Sequence, residues 1–336
     1  MTIEVIAGLA HLSNGPILQR AKAMQVPTLI SANCLSRWST RKGWLEWRGW
    51  RLGPLANARG LQSLRLDGAG FVTTRIYGEY FWSVRQYLRL AAAFEFEWFA
   101  SLDYCVEPEI ANDREEVLDR VSRTIQINKE CRLQAADLGL KNLLPVLQGR
   151  RPSDYEHCAD ALWFSMIPGT IVGVGSMCRR EIAGPEGLIA VVEHLDRVLP
   201  AGVMLHLFGV KGEALPYLLP FRHRVASIDS QAYGVAARQE ALRKGISKTD
   251  AFVADHLEAW VGRQHRRLAE PPKRIVIEKE TPQTWRRLSP WQKAMAAARA
   301  KLRDLIEAGE LDYRLVSTRW VEEWAADLLQ SEREAA

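Results

Sequence analysis

Eight short apolar runs recur along the first 230 residues, and longer stretches of mixed polar and apolar positions separate them. The runs are rich in β-branched residues and nearly continuous in their hydrophobicity. This pattern is typical of strands that are covered on both faces, as in a parallel sheet. The runs occupy residues 2–9, 26–33, 63–70, 98–105, 142–149, 170–176, 203–209 and 225–229.

The stretches between these runs are long enough to form helices, and four of them predict helices at 79–94, 114–138, 152–163 and 185–199. Eight strand–helix units within about 260 residues are typical of a (β/α)8 TIM barrel. A doubly wound open sheet is the alternative α/β fold, but no GxGxxG motif follows the first apolar run. The pattern therefore favours the barrel.

The last third of the chain has a helical pattern and no further strand signal. One long helical stretch is predicted from residue 231 to about 268, and the adjacent prolines of "EPPKR" (270–274) end it. Two more helices are predicted at 290–308 and 318–332. We therefore expect a barrel domain over residues 1–269 and a small, mostly helical C-terminal region over 270–336.

An insertion between the second and third apolar runs, "RWSTRKGWLEWRGWR" (37–51), combines four Trp, four Arg and one Lys. Interleaved aromatic and basic residues suit base stacking and phosphate contact, so Arg37, Trp44 and Arg48 are candidate nucleic-acid contacts. The alternative is a loop whose tryptophans pack on the barrel while its basic groups remain solvated.

Composition and charge add limited information. The net charge of +5 and the pI of about 9.0 mildly favour a polyanionic partner. The chain has no run of eighteen apolar residues, and its start, "MTIEVIAGLA", does not have the pattern of a secretory signal, so a cytoplasmic protein is expected. Its five cysteines are scattered without a CxxC pair, and this spacing signals neither a disulfide framework nor a zinc site.

Polar residues stand where the predicted strands end, which is where TIM barrels carry their active sites. An Asp in such a place can simply cap the next helix. Three carboxylates and an amide at one barrel mouth could instead supply a nucleophile, a proton donor and a purine-binding edge. Two of the carboxylates would also suit a glycoside hydrolase. The residues at these strand ends are Asp67, Asp103, Gln148, Gly175, Ser176 and Asp229.

Several motifs in the same region resemble those of the tRNA-guanine transglycosylases, barrel enzymes that exchange guanine for a 7-deazaguanine. The matching segments are "LRLDGAGF", "SLDYC", "PVLQG", "VGVGSMCRR" and "HLFGV" followed by "SIDSQAYG". Their order and spacing correspond over most of residues 60–235. Each motif is weak alone, and the ordered set is fairly specific.

The resemblance implies a role for each matching position. Asp229 would be the nucleophile on the ribose C1′ atom, and Asp67 would be the acid/base group. Asp103 would read the edge of the base. Phe71 and Phe208 would hold the base between them, although core packing is the plainer interpretation of both rings. The other implied base-binding residues are Gln148, Gly149, Gly175 and Ser176.

The chain also departs from the tRNA enzymes. Gly68-Ala69-Gly70 stands in place of Ser-Gly-Gly, Val72 in place of Gln, and Ser176 in place of a second Gly. The zinc motif of that family, CxCxxC with a downstream His, has no counterpart because no cysteine follows Cys178. These departures make the chain most similar to the deazapurine DNA-modification transglycosylases (DpdA) of bacteria and phages.

Similarity to that subfamily implies insertion of preQ0 or a related 7-deazaguanine into DNA, with no metal and no cofactor. DNA would have to present an extruded or single-stranded guanine. Arg179 and Arg180 would contact phosphate at the rim, unless they form only a surface pair. A partner protein of a DNA-modification system is possible. The alternatives are a tRNA enzyme that lacks the zinc site and a non-catalytic nucleic-acid-binding barrel.

Overall fold

The computed structural model describes residues 2–277 and 288–335, and every one of the eight apolar runs forms a strand in it. One run is divided at Pro145 into two short strands, and the Trp/Arg-rich insertion adds two more. The strands are β1 (Glu4–Leu9), β2 (Thr28–Ser31), β3 (Ser36–Ser39), β4 (Glu46–Trp50), β5 (Leu64–Asp67), β6 (Phe99–Ala100), β7 (Leu143–Leu144), β8 (Val146–Leu147), β9 (Ile171–Val174), β10 (Met204–Leu207) and β11 (Val225–Ser230).

The main sheet is a parallel barrel. Its strands follow the order β7-β6-β5-β2-β1-β11-β10-β9-β8, and all of its strand pairs are parallel. The two end strands, β7 and β8, are consecutive pieces of one chain segment, so the sheet nearly closes on itself at Pro145. The register places Ser31 beside Asp67 and Ile6 beside Asp229. The predicted (β/α)8 TIM barrel is confirmed.

Helices connect the strands and cover the outside of the barrel, as right-handed parallel connections require. Most of them lie where the sequence predicts helices. They are α1 (Pro16–Met24), α2 (Gly70–Val72), α3 (Val84–Ala91), α4 (Arg114–Asp137), α5 (Pro152–Ala161), α6 (Leu188–Val198), α7 (Leu215–Leu218), α8 (Ala232–Lys244), α9 (Asp250–Leu268), α10 (Pro290–Ala308) and α11 (Thr318–Ala335).

The prediction of one helix over 231–268 is wrong, because α8 and α9 are separate helices. Gly245 has φ +64°, a left-handed conformation that ends α8 at little cost for a residue without a Cβ. The Thr249 side chain then accepts a hydrogen bond from the Phe252 N–H and starts α9. Within the described residues, no helix is long and apolar enough to cross a bilayer.

Apolar side chains fill the barrel interior. One buried cluster joins Ile6, Leu29, Ala100, Leu144 and Val146, which come from five different strands. Strands on opposite sides of a barrel share such a cluster only through its interior. The cluster fills the barrel interior below the mouth, so the polar side chains at the strand ends are supported by closely packed apolar side chains.

The insertion at 37–51 forms the antiparallel hairpin β3–β4, and three of its four tryptophans pack against other aromatic rings. Trp38 packs with Tyr77 and Phe81, while Trp47 and Trp50 pack with Trp82. For Trp38, Trp47 and Trp50, the structure therefore agrees with the alternative that the tryptophans pack on the barrel. Trp44, at the tip, is 61% exposed.

The C-terminal helices dock on the barrel through α4. The Arg303 guanidinium lies 2.9 Å from Glu115 and 2.8 Å from Asp119. A second contact joins the Tyr313 hydroxyl to that of Tyr104 by a hydrogen bond. This region therefore touches the residue next to Asp103, while the domain boundary at residue 270 stays a prediction.

Candidate active site

Three carboxylates lie together at the carboxyl ends of the barrel strands. Asp67 ends β5, Asp229 lies near the end of β11, and Asp103 follows β6. Asp103 is 7% exposed and Asp229 8%. Burial is the main cause that raises the pKa of Asp67 and of Asp103; the Asp229 charge adds to the first rise and the Asp67 charge adds to the second. Parallel strand ends thus bring the three carboxylates that the sequence singles out into one electrostatic cluster.

Asp67 is held in a state that can both donate and accept a proton. Burial is the main cause that raises its pKa to about 6, and the neighbouring Asp229 carboxylate adds to it. The Ala69 N–H donates to Oδ2 at 3.1 Å and partly offsets this rise. A pKa near the operating pH is what general acid–base catalysis requires.

Asp103 belongs to a buried chain of hydrogen bonds that orients its carboxylate. Gln148 Nε2 donates to Asp103 Oδ2, and the Ser176 hydroxyl donates to Gln148 Oε1 at 2.7 Å. The Val106 N–H in turn donates to the Ser176 hydroxyl oxygen at 2.7 Å. Tyr80, which the sequence did not indicate, donates to the Asp103 carbonyl at 2.9 Å. These hydrogen bonds fix the orientation of the Gln148 amide.

Two glycines make room for this chain. A Cβ atom on Gly70 would lie 2.3 Å from Asp103 Oδ1, and one on Gly175 would lie 2.1 Å from Gln148 Nε2. No other residue fits at either position without displacing the polar pair. The backbone at both glycines is therefore in direct contact with the groups proposed to read a base.

Ala69 and Ser176 have a left-handed backbone, with φ of +68° and +57°. These are two of the positions where the chain departs from the glycines of the tRNA enzymes. A residue with a Cβ is strained there, by about 1 kcal/mol. The loops have therefore kept the backbone shape that a glycine favours, and Ser176 uses its side chain to bind Gln148.

Asp229 is held by the backbone and faces a buried histidine. The Gly209 N–H donates to Oδ1 at 2.8 Å. His206 Nε2 lies 3.4 Å from the same oxygen, and His206 Nδ1 lies 2.8 Å from the Ser227 hydroxyl. The His206 ring is fully buried and packs between Trp98 and Phe208. Sequence reasoning missed His206, because a histidine in an apolar strand looks like an ordinary core residue.

The remaining residues of the predicted base site lie around this centre. The Phe208 ring packs edge-on against His206, with ring centroids 4.5 Å apart. Phe71 is exposed at the mouth, and the Arg179 guanidinium lies 5.6 Å from its ring centroid. The Gly149 carbonyl accepts a hydrogen bond from Arg180. Holding a base between the two Phe rings stays a prediction.

The predicted phosphate contact of Arg180 is wrong. Its side chain is buried, 3% exposed, and all five of its N–H donors are already used within the protein. They bind four backbone carbonyls and the Tyr155 hydroxyl, so Arg180 ties the loops after β8 and β9 together. Arg179 does lie at the rim, where it pairs with Glu107 and Glu109.

The hairpin residues occupy the surface in different ways. Arg37 donates across the hairpin to the Arg48 carbonyl at 3.0 Å, and the Arg48 side chain lies 3.3 Å from Glu46. Trp44 packs with Lys42, whose ammonium lies 5.8 Å from its ring centroid. A role for the hairpin in binding nucleic acid stays a prediction.

Replacing Asp103 with Asn is expected to stabilise the free protein, and to do so more at pH 8 than at pH 5. Burial and the Asp67 charge raise the pKa of Asp103 to about 7. A raised carboxyl pKa stabilises the fold at low pH, and that stabilisation is lost as the pH rises from about 4 through 7. At pH 8 the Asn variant avoids a buried charge and should gain on the order of 1–3 kcal/mol.

The measurement is the melting temperature of both proteins at pH 5 and pH 8, with Asp304→Asn as a control at an exposed position of α10. An equal difference at the two pH values would show that the charge of Asp103 is not the cause.

A comparison with known families identifies the family of this chain. Among residues 2–277 and 288–335, no group of three or more His, Cys, Asp or Glu is placed to hold a metal ion. A comparison with curated proteins gives no significant match. A comparison with protein families matches residues 20–307 to the family described as DpdA, DeoxyPurine in DNA protein A. Because this match spans α1 to α10, the chain belongs to the DpdA family, which supports a DNA-modification transglycosylase.

Proposed function

We propose that this protein exchanges guanine in DNA for a 7-deazaguanine, preQ0 or a close relative, through a covalent link between Asp229 and deoxyribose. The observation that carries the proposal is the pairing of Asp229, anchored by the Gly209 N–H, with Asp67, whose pKa is about 6. One carboxylate is oriented as a nucleophile, and its neighbour is adjusted to move a proton. The choice of DNA as the substrate rests on membership of the DpdA family.

The first half of the reaction removes guanine. Asp229 Oδ1 accepts from the Gly209 N–H, so Oδ2 is the oxygen available to attack C1′. The C1′–N9 bond breaks as the new C1′–O bond forms, and the electron pair leaves with guanine. Protonated Asp67 gives its proton to the departing base. The sugar carbon passes through an oxocarbenium-like state, which the surrounding carboxylates stabilise.

The second half reverses these steps with a new base. The incoming 7-deazaguanine gives its N9 proton to Asp67, attacks C1′ and displaces the Asp229 carboxylate. Asp103 accepts hydrogen bonds from the N1–H and amino groups of either base, and Gly175 offers its backbone. No net proton or electron is gained, so the two half-reactions balance with Asp67 and Asp229 alone.

The substrate must reach the site as an unstacked nucleotide. The carboxylates lie in the barrel mouth, which a base inside a duplex cannot enter, so the target guanine is extruded or single-stranded. The exposed rings of Phe71 and Trp44 are available to stack on displaced bases. The proposal places the protein in the cytoplasm with DNA and leaves room for a partner protein. In this proposal, the C-terminal region (270–336) contacts the nucleic acid or the partner protein.

The test is base exchange by the purified full chain with radiolabelled preQ0. Duplex DNA, single-stranded DNA and tRNA are offered in parallel reactions. Label in DNA is the expected result. Label that enters only tRNA would keep the chemistry and overturn the substrate, and label in none of them would contradict exchange of preQ0 itself.

His206 is expected to position Asp229, and two substitutions distinguish the roles of its two ring nitrogens. His206→Asn can keep the bond to Ser227 but cannot reach Asp229, whereas His206→Gln can still offer an N–H toward Asp229. We expect exchange to fall about 10-fold in the Asn variant and less in the Gln variant, because only the Asn variant loses the polar atom that lies 3.4 Å from Asp229 Oδ1, and a small misplacement of a reacting group costs rate.

The rates of both variants are compared with their melting temperatures. A loss that follows the melting temperature, and is equal in the two variants, would reduce His206 to a packing residue.

A further inference from the structure

Two arginines at the barrel mouth converge on one carboxylate. Arg179 makes a two-point contact with Glu109, at 2.7 Å from each guanidinium nitrogen to a separate oxygen. Arg75 pairs with the same carboxylate from another direction. Two guanidinium groups around a single anion are the arrangement with which proteins bind phosphate.

These residues lie on the rim of the candidate active site. Arg75 follows β5 and α2, Glu109 follows β6, and Arg179 follows β9, so all three come from loops at the carboxyl ends of barrel strands. The Arg179 guanidinium also lies 5.6 Å from the ring centroid of Phe71. An anion bound between the arginines would therefore lie beside the mouth into which the target nucleotide must enter.

We propose that Arg75 and Arg179 form a binding site for a backbone phosphate of the DNA substrate, and that Glu109 occupies this site until DNA displaces it. The proposal rests on the proposed function, because it takes DNA as the substrate. The sequence predicts only that Arg179 contacts phosphate. The proposal adds Arg75 as a second phosphate ligand and Glu109 as a competitor for both arginines.

The two glutamates that bind Arg179 differ in a way that supports displacement. The Glu107 side chain is 7% exposed and lies 3.0 Å from Arg179 Nη2, so it holds the guanidinium from the protein side. The Glu109 side chain is 43% exposed and lies on the open side. Exposed ion pairs contribute little to stability, so a phosphate can replace Glu109 at low cost while Glu107 keeps Arg179 in place.

Charge explains why the displacement has a consequence for binding. In the free protein Arg75 and Arg179 are balanced by Glu107 and Glu109, so the rim attracts polyanions weakly. When a phosphate enters, Glu109 must withdraw, because its carboxylate would repel the phosphate. Glu109 therefore lowers the affinity for every DNA sequence alike, since phosphate contacts do not read bases.

The experiment measures the affinity for a fluorescent DNA duplex by anisotropy, with Asp229→Asn in every protein so that no exchange occurs. Glu109→Gln is expected to tighten binding about 3- to 10-fold at low salt, because it removes the competitor and keeps the shape of the side chain. Glu258→Gln is the matched control: Glu258 pairs with Arg20 on the outer helices, and its loss changes the net charge equally.

Arg75→Ala and Arg179→Ala test the other half of the proposal. Each should weaken binding and reduce the slope of log affinity against log salt by about one, as expected for a lost phosphate contact. Glu109→Gln added to the double variant Arg75→Ala/Arg179→Ala should bind no tighter than that double variant alone, because Glu109 then has neither arginine to compete for. This coupling distinguishes direct competition from a general effect of charge.

Equal affinities for Glu109→Gln and Glu258→Gln would overturn the phosphate site. If the wild-type protein still inserts label into DNA, the proposed function survives that result. If the wild-type protein neither binds DNA nor labels it, both proposals fail together. The exchange assay therefore separates failure of the phosphate site from failure of the function.

Discussion

Replacing Asp229 with Asn is expected to lower the rate of base exchange by about 10³-fold or more, the largest loss of any single substitution. An amide oxygen cannot form the ester-like bond to C1′ that the carboxylate forms. The Asn side chain can still accept a hydrogen bond from the Gly209 N–H, so the loop after β10 should keep its place. The measurement is incorporation of labelled preQ0 into DNA.

Two further observations decide whether the nucleophile has been identified. Wild-type protein mixed with DNA and quenched in acid should yield a protein–DNA adduct, and the Asn variant should yield none. Its DNA affinity should remain close to that of Asp304→Asn, a change at an exposed site of α10. An adduct that persists in the Asp229→Asn variant would assign the attack to another residue.

The second large effect is expected for Asp67→Asn, which should slow exchange by about 10²- to 10⁴-fold. Burial and the Asp229 charge raise the pKa of Asp67 to about 6. At pH 6 about half of the Asp67 population then carries a proton, against about 1% for a carboxyl with an ordinary pKa. An Asn side chain neither donates this proton to guanine nor accepts the one from the incoming base.

The pH profile is the specific test for Asp67. Removal of guanine needs protonated Asp67, so the single-turnover rate of that step should fall as the pH rises through about 6. The Asn variant should lose this limb of the profile, while Asp67→Glu should retain it with a reduced rate. A limb near pH 6 that survives in the Asn variant would assign the titration to a different group.

Several features of the site follow from the sequence alone because they are local. A short run of β-branched and apolar residues between helix-length stretches favours a strand, so all eight barrel strands were predictable, and so were α4, α5, α10 and α11. Parallel strands end at a common edge, so the convergence of Asp67, Asp103 and Asp229 could also be predicted. Local glycine and capping signals, which divide α8 from α9, were present but weaker than the helical pattern around them.

What only the tertiary structure decided is the partner of each polar side chain. Arg179 and Arg180 are adjacent in sequence, yet Arg179 lies at the rim and the buried Arg180 side chain donates five hydrogen bonds within the protein. His206 lies beside Asp229 because β10 pairs with β11, and Glu109 meets Arg75 because loops from β5 and β6 meet. Such contacts depend on which strands become neighbours and on how loops pack, so residue type and spacing do not encode them locally.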